Sequence, residues 1–201
     1  SSSSSRSSDS CELIFFPDMK VQLQNQVALV TGAAGAIGQA ICASLAANGA
    51  KVVFADINLE GAQKLAAATP GAMALRMDVT SEAEIESAMN EIIAAHGRLD
   101  ILVNNAGINT MAHRVNIDEF PAEEWDRVLR VDLTGLFLVS KAASRHMLAR
   151  KAGRIINISS VMGLVPARLQ CAFTAAKAGV VNLTRTMARS EEHTSELQSR
   201  E

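Results

Sequence analysis

The sequence predicts a doubly wound α/β fold, a parallel sheet with helices on both faces and three layers in all. Three observations carry this. Short apolar runs alternate with helical stretches from Val27 to Ala188, the order expected of βαβ units. The first such run, "VALVT", is continuously apolar, as a strand covered on both faces requires. A glycine-rich turn, "TGAAGAIG", joins that run to the first helix, where a Rossmann-like sheet holds its ligand.

The elements follow in order. "VALVT" (27–31) is the first strand. "AIGQAICASLAANGA" sets Ile37, Ile41 and Leu45 along one helix face and closes at Asn48-Gly49. "KVVFAD" is the second strand, "LEGAQKLAAA" the second helix and "AMALRMD" the third strand. "SEAEIESAMNEIIAAHG" opens with a capping box, Ser81 and Glu84. It sets Ile85, Met89, Ile92 and His96 on one side and ends at Gly97. "LDILVN" is the fourth strand. The stretch from Phe120 to Gly153 reads as one long helix, with Pro121 near its first position, acids in its first turn, and Lys151 and Gly153 at its close. "RIINIS" is the fifth strand and "AFTAAKAGVVNLTRTMA" the last helix, ending at Ala188. Right-handed crossovers turn this order into a doubly wound sheet.

Bulk composition narrows the function. A length of 201 residues suits one domain with a sizeable core. A net charge of -2 makes no case for nucleic acid or an anionic membrane, and neither is expected as a partner. No apolar run reaches a membrane span. Cys11, Cys42 and Cys171 lack metal-ligand spacing, so no metal is expected. They read as reduced thiols in a cytoplasmic protein.

The glycine-rich turn is the first chemical signal. Gly32, Gly35 and Gly38 permit a tight turn, close backbone approach and close helix–strand packing. The helix start then offers free N–H groups and a positive dipole end to a pyrophosphate. Asp56, ending the second strand, would accept hydrogen bonds from a ribose 2′-hydroxyl and repel a 2′-phosphate. No Arg lies in the turn or just after Asp56. The expected cofactor is therefore NAD rather than NADP.

Further motifs sharpen this. "TGAAGAIG" resembles the TGxxx[AG]xG turn of the short-chain dehydrogenase/reductase family. "NNAG" (104–107), "DVT" (78–80) and "GRIINISS" resemble that family's later motifs, in its order. The resemblance covers nearly all of 19–188 and implies an NAD(P)-dependent oxidoreductase. It implies hydride transfer between nicotinamide and a secondary alcohol or ketone, with a sugar or polyol among the candidates. Gly32, Gly35, Ile37 and Gly38 would line the cofactor in the turn. Asp78 and Val79 would frame the adenine, and Asn104, Ala106, Gly107 and Lys177 would complete the site. Homo-oligomers built on the long helix and the last helix are expected for the full-length parent.

The same resemblance implies a catalytic Ser, Tyr, Lys and Asn, and here the chain departs from the pattern. Ser160 and Lys177 hold the serine and lysine positions, with Ser159 turned elsewhere. Phe173 stands at the tyrosine position and Asp132 at the asparagine position. The chain has 0 Tyr. A phenylalanine cannot exchange a proton, so general acid catalysis is expected to be impaired. Phe173 reads equally as a core aromatic on a helix face. In the polar loop after the fourth strand, His113 and Arg114 either face a polar substrate or sit in solvent. The alternatives to an enzyme are a non-catalytic dinucleotide-binding or assembly protein, and an inactive gene fragment.

Both ends look foreign. "SSSSSRSSDS" is low-complexity, and residues 1–18 are expected to be disordered or non-native, with Met19 the native start. "RSEEHTSELQSRE" (189–201) resembles the conceptual translation of a common sequencing adapter. The family pattern continues past Ala188, so a truncated domain is expected at 19–188, its sheet incomplete at the C-terminal end. Such a chain would be prone to aggregation through an open edge.

Overall fold

The computed structural model describes residues 21–109 and 113–197, with side chains as far as Arg189. Cys11, Met19 and residues 1–18 lie outside the described residues. Five parallel strands form one sheet in the order β3-β2-β1-β4-β5. They are β1 (Val27–Thr31), β2 (Lys51–Asp56), β3 (Met73–Arg76), β4 (Ile101–Asn104) and β5 (Arg154–Asn157). The helices are α1 (Ala36–Ala47), α2 (Leu59–Ala67), α3 (Glu82–His96), α4 (Ala122–Leu129), α5 (Leu136–Ala149) and α6 (Cys171–Leu197).

The sheet separates two apolar layers because successive strand side chains point to opposite faces. Val27 and Leu29 of β1 join Val53, Leu75, Ile85, Met89, Ile92 and Val139 on the α3/α5 face. Ala28 and Val30 join Val52, Phe54, Cys42 and Ala62 on the α1/α2 face. Leu29 and Val30 are fully buried, and each such side chain contributes about 1.5–3 kcal/mol. A third, smaller cluster holds α4 to α6 through Val128, Ala172 and Ala176, with Trp125 and Phe173 packed on it. β3 and β5 are the edges of the sheet among the described residues, and Ile156 of β5 is 46% exposed.

Several sequence expectations are corrected here. Of the α1 face predicted from Ile37, Ile41 and Leu45, Ile41 and Leu45 pack half-buried on the α1/α2 layer and Ile37 does not. Gly38 and Cys42 are the buried residues, and Ile37 is 63% exposed. The reason is Gly38: its bare Cα lets the helix lie against the turn, and that contact, not the largest side chains, sets the helix's orientation.

The capping box at α3 is half formed. Ser81 Oγ accepts from the Glu84 amide at 3.3 Å. The Glu84 carboxylate instead accepts from the Asp78 amide at 3.0 Å and pairs with Arg76 at 2.6 Å. A full cation outcompetes the Ser81 amide.

The predicted long helix from Phe120 to Gly153 is three pieces. Phe120 stays extended, Pro121 is the N-cap, and a π-helical stretch, Arg130–Gly135, separates α4 from α5. Its close is also different. The helix ends at Ala149, and Lys151, not Gly153, takes the left-handed conformation at φ 54°. A short 3₁₀ turn, Ile117–Glu119, lies in the polar loop before α4. Helical backbone in α6 runs past Ala188 to Leu197. Residues 189–197 contain no Gly or Pro to stop it.

Candidate functional site

The strand order reverses between β1 and β4, whose neighbours run outward in opposite directions. Open α/β sheets form their ligand crevice beyond the carboxyl ends of the strands at such a point. The Gly-rich turn, the 104–107 loop and the N-terminal part of α6 meet there.

The turn is shaped by close approach. Gly32 has φ +63°, and a Cβ there would sit 2.8 Å from Ala106 Cα. At Gly38 a Cβ would sit 2.3 Å from the Gly32 carbonyl oxygen. Gly35 differs: only the Gly32 oxygen comes near, at 3.4 Å, so its outer side is open. Gly35 caps α1 with no side-chain hydrogen bond, and no acid occupies the first turn. The helix start is thus a positive end left to another group. A pyrophosphate fits these residues.

Two residues to which the sequence reading gave no site role lock the turn to its neighbour. Thr31 Oγ1 accepts from the Asn105 and Ala106 amides at 3.0 Å each. Asn105 Nδ2 donates to the carbonyls of Thr31 at 3.0 Å and Gly32 at 3.1 Å. Their signal in the sequence was weak: a polar residue ending an apolar strand, and a second Asn.

Asp56 ends β2 beside the turn. Its carboxylate accepts from the Ala34 amide and the Asn58 amide, both at 2.9 Å. Asp78 accepts from the amide and hydroxyl of Thr80, both at 2.8 Å. Val79 is buried, and Gly135 approaches it so closely that a Cβ there would lie 2.7 Å from Val79 Cγ2. Asn104 is buried behind the crevice. Its Nδ2 donates to Ser140 Oγ at 2.9 Å and to Asn157 Oδ1 at 2.8 Å. Exposed Ile37 stands at the start of α1.

The reactive positions gather around Gly107. A Cβ at Gly107 would lie 3.0 Å from Asp132 Oδ2 and 3.3 Å from Lys177 Nζ. The π-helical stretch turns Asp132 inward, where it is 1% exposed. Its Oδ1 accepts from the Ile108 amide at 2.7 Å, and its Oδ2 lies 3.2 Å from Lys177 Nζ. Oδ2 makes no hydrogen bond of good direction, so that contact is an ion pair. Burial pushes the Asp132 carboxyl above the ordinary range, and Lys177 and the Ile108 amide offset this only in part. Lys177 Nζ also donates to the Ile158 carbonyl at 3.4 Å and lies 5.5 Å from the Phe173 ring centroid.

Phe173 therefore fills two descriptions at once: it packs on the α4/α6 cluster and it stands over the buried ammonium. Ser160 Oγ accepts from the Met162 amide at 3.2 Å and caps a 3₁₀ turn. Ser159 Oγ points the other way and donates to the Lys177 carbonyl at 3.0 Å. His113 lies 3.8 Å from Glu124, whose carboxylate is held bidentately by Arg127 at 2.7 and 2.8 Å. Arg114 is exposed. Among the described residues no three His, Cys, Asp or Glu side chains gather as metal ligands. No helix there is long and apolar enough to cross a membrane.

Comparisons with known proteins identify the family. Residues 26–195 match the family described as short chain dehydrogenase. The chain is 44% identical over 170 residues to the uncharacterized oxidoreductase YxjF of Bacillus subtilis (strain 168), covering 83% of this chain and 65% of the relative. It is 43% identical over 167 residues to cis-4-hydroxycyclohexanecarboxylate dehydrogenase of Sinomonas cyclohexanicum, covering 81% and 66%. The crystal structure of gox2181 superposes with a TM-score of 0.82 at 34% identity, covering 86% of this chain and 69% of the other. The chain thus spans just under two thirds of the length of the first two relatives. A family match across residues 26–195, with 44% and 43% identity to these two relatives, leaves one conclusion: the protein belongs to the short chain dehydrogenases.

Proposed function

We propose that the protein binds NAD and takes part in hydride transfer between nicotinamide and a secondary alcohol or ketone, with proton transfer impaired by Phe173. The observation that carries this is the position of Lys177, buried beside Gly107 at the crevice that the Gly-rich turn opens. When bound, the nicotinamide cofactor supplies the hydride. The chain's residues do the rest. The α1 start and Gly35 would take the pyrophosphate, and Asp56 the adenosine ribose. Asp78 would meet the adenine side, and Lys177 the nicotinamide ribose. Ser160 would hold the substrate oxygen. No side chain at position 173 donates a proton, a function that typically contributes about 10² to 10⁴ in rate.

Asp56 supports NAD over NADP. Its carboxylate would face the ribose with no Lys or Arg in 57–62 to offset it. The relative named for cis-4-hydroxycyclohexanecarboxylate supports a secondary alcohol, and a sugar or polyol belongs in the same test panel. The free thiols of Cys42 and Cys171 support a cytoplasmic setting. The apolar groove between α5 and α6, where Leu133, Phe137 and Leu183 meet Gly179, supports a homo-oligomer. The foreign character of 1–18 and 189–201 is part of the same proposal.

Fluorescence titration with NADH and NADPH tests the reading. NADH should bind more tightly, and ketone reduction should be slow even at saturation. Failure to bind either nucleotide would sink the dinucleotide reading. Rapid turnover would sink the impairment. The absence of a proton donor at Phe173 also favours a second reading, a dinucleotide-binding protein without turnover. Tight NADH binding with no reduction of any ketone in the panel would select it.

A further inference from the structure

We propose that Asp132 is the counter-ion of Lys177 in this chain and that it cancels the lysine's charge at position 173. The proposal rests on the reading of position 173 as the proton-donor position, and it makes the two departures from the family pattern one linked change.

The argument begins with burial. Lys177 and Asp132 have side-chain exposures of 8% and 0% and lie 3.2 Å apart. A buried ammonium needs a partner of opposite charge. Its other contacts are a long bond to the Ile158 carbonyl, 3.4 Å, and the Phe173 ring at 5.5 Å. Neither carries a full charge. Arg127 also acts on Asp132, but Glu124 holds Arg127 in a bidentate pair, with His113 on the same carboxylate. Asp132 is thus matched to Lys177 alone. With the carboxylate and the ammonium both ionised, the pair has no net charge.

A lysine within this distance favours the ionised form of a neighbouring acid, and a carboxylate beside the lysine opposes that effect. An asparagine at 132 would keep the bond to the Ile108 amide through its carbonyl oxygen and leave the ammonium's field intact. The carboxylate removes that field. Restoring a phenol at 173 would therefore not restore an acid of lowered pKa, because the ammonium meant to tune it is already spoken for. With a phenylalanine at 173, an uncompensated ammonium would have no acid to serve, and the ion pair is the more stable arrangement.

The chain's lack of tyrosine makes the test direct. Phe173→Tyr introduces the only phenol, and its ionisation is followed by the tyrosinate band in the near ultraviolet. In the single variant the phenol should titrate at or above its ordinary value of about 10. In Phe173→Tyr/Asp132→Asn it should titrate about one to three pH units lower. A single variant that already titrates well below about 10 overturns the proposal. So does a double variant that matches the single one. Asp132→Ser in the same background is the smaller, neutral replacement should the asparagine form not fold, and it should shift the phenol in the same direction. The single-variant arm decides by itself if neither folds. No cofactor or turnover enters the measurement, so failure to bind NADH would overturn the proposed function and leave this result readable.

Discussion

Asp100 and Asp132 are buried carboxylates at opposite ends of β4, and their surroundings are opposite too. Asp100 lies at the amino end. Its carboxylate accepts from the Val27 amide at 2.9 Å, from Arg98 at 2.7 and 2.6 Å, and from Arg150 at 3.2 Å. Burial pushes this carboxyl up, but the two guanidinium groups and the amide outweigh it and hold it below the ordinary range. Asp132 lies at the carboxyl end with one amide, one ammonium and one oxygen lacking a directed hydrogen bond. There burial wins and the carboxyl is raised. Polar groups at the end that only holds the sheet together are saturated. At the end where a ligand would bind, they are left incompletely satisfied.

The largest test of this contrast is Lys177→Met. Removing one member of a buried pair should cost about 3–5 kcal/mol near neutral pH. The stranded Asp132 carboxyl would then take up a proton more readily, so the loss should shrink in mild acid. Urea unfolding midpoints at neutral and acid pH check this, and an equal loss at both would contradict it.

Asp100→Ala should cost somewhat less, about 2–3 kcal/mol. The Val27 amide is left buried without an acceptor, while half-exposed Arg98 finds water. Unlike the lysine variant, this one should show no recovery in mild acid. Its expected signature is a lower urea midpoint of constant size from neutral pH down to about the ordinary aspartate range.

The two carboxylates also predict opposite slopes of stability with pH. Asp100 has a folded value below 3.8, its stabilisation is complete above that pH, and it is lost as the pH falls through the folded value. Asp132 has a folded value above 3.8, so the native state takes its proton first. Between 3.8 and that folded value, stability falls as pH rises, by at most about 1.4 kcal/mol per pH unit. Asp132→Asn should flatten the upper window only, and Asp100→Asn the lower one only. Acid-range urea midpoints of the two variants separate the terms. Interchanged effects would show that the contrast between the ends is wrong.

The sequence revealed the two ends unequally. The alternation of strands and helices was legible because each strand is a short apolar run and each helix is bounded by its own punctuation, as with Ser81 and Gly97 on α3. The Gly-rich turn was legible because Gly32 and Gly38 occupy places no side chain fits. The π-helical stretch was not, since nothing in "RVDLTG" marks an extra residue in the turn, and the close approach of Gly135 to Val79 appears only in the fold. The Asp132–Lys177 pair joins residues far apart in the chain, so its partner choice could only come from packing. Ile37 misled for a related reason. Hydrophobicity marks a face as apolar without saying whether the core or a ligand covers it.

The smallest expected effect on stability is at Ser160, and it bears on what the carboxyl end is for. Ser160→Ala removes one cap bond to the Met162 amide in a three-residue turn and should cost about 0.5 kcal/mol. Ser159→Ala removes the bond to the Lys177 carbonyl and should cost more, about 1 kcal/mol. If Ser160 holds the substrate oxygen, ketone reduction in the Phe173→Tyr/Asp132→Asn background should reverse the order. There Ser160→Ala should lose most of the rate and Ser159→Ala little of it. Thermal melts and turnover of the two variants, measured side by side, decide it. At the amino end stability is the whole role of Asp100. At the carboxyl end the residue that matters least to the melt should matter most to the chemistry, and two serines that rank alike in both measurements would contradict that separation.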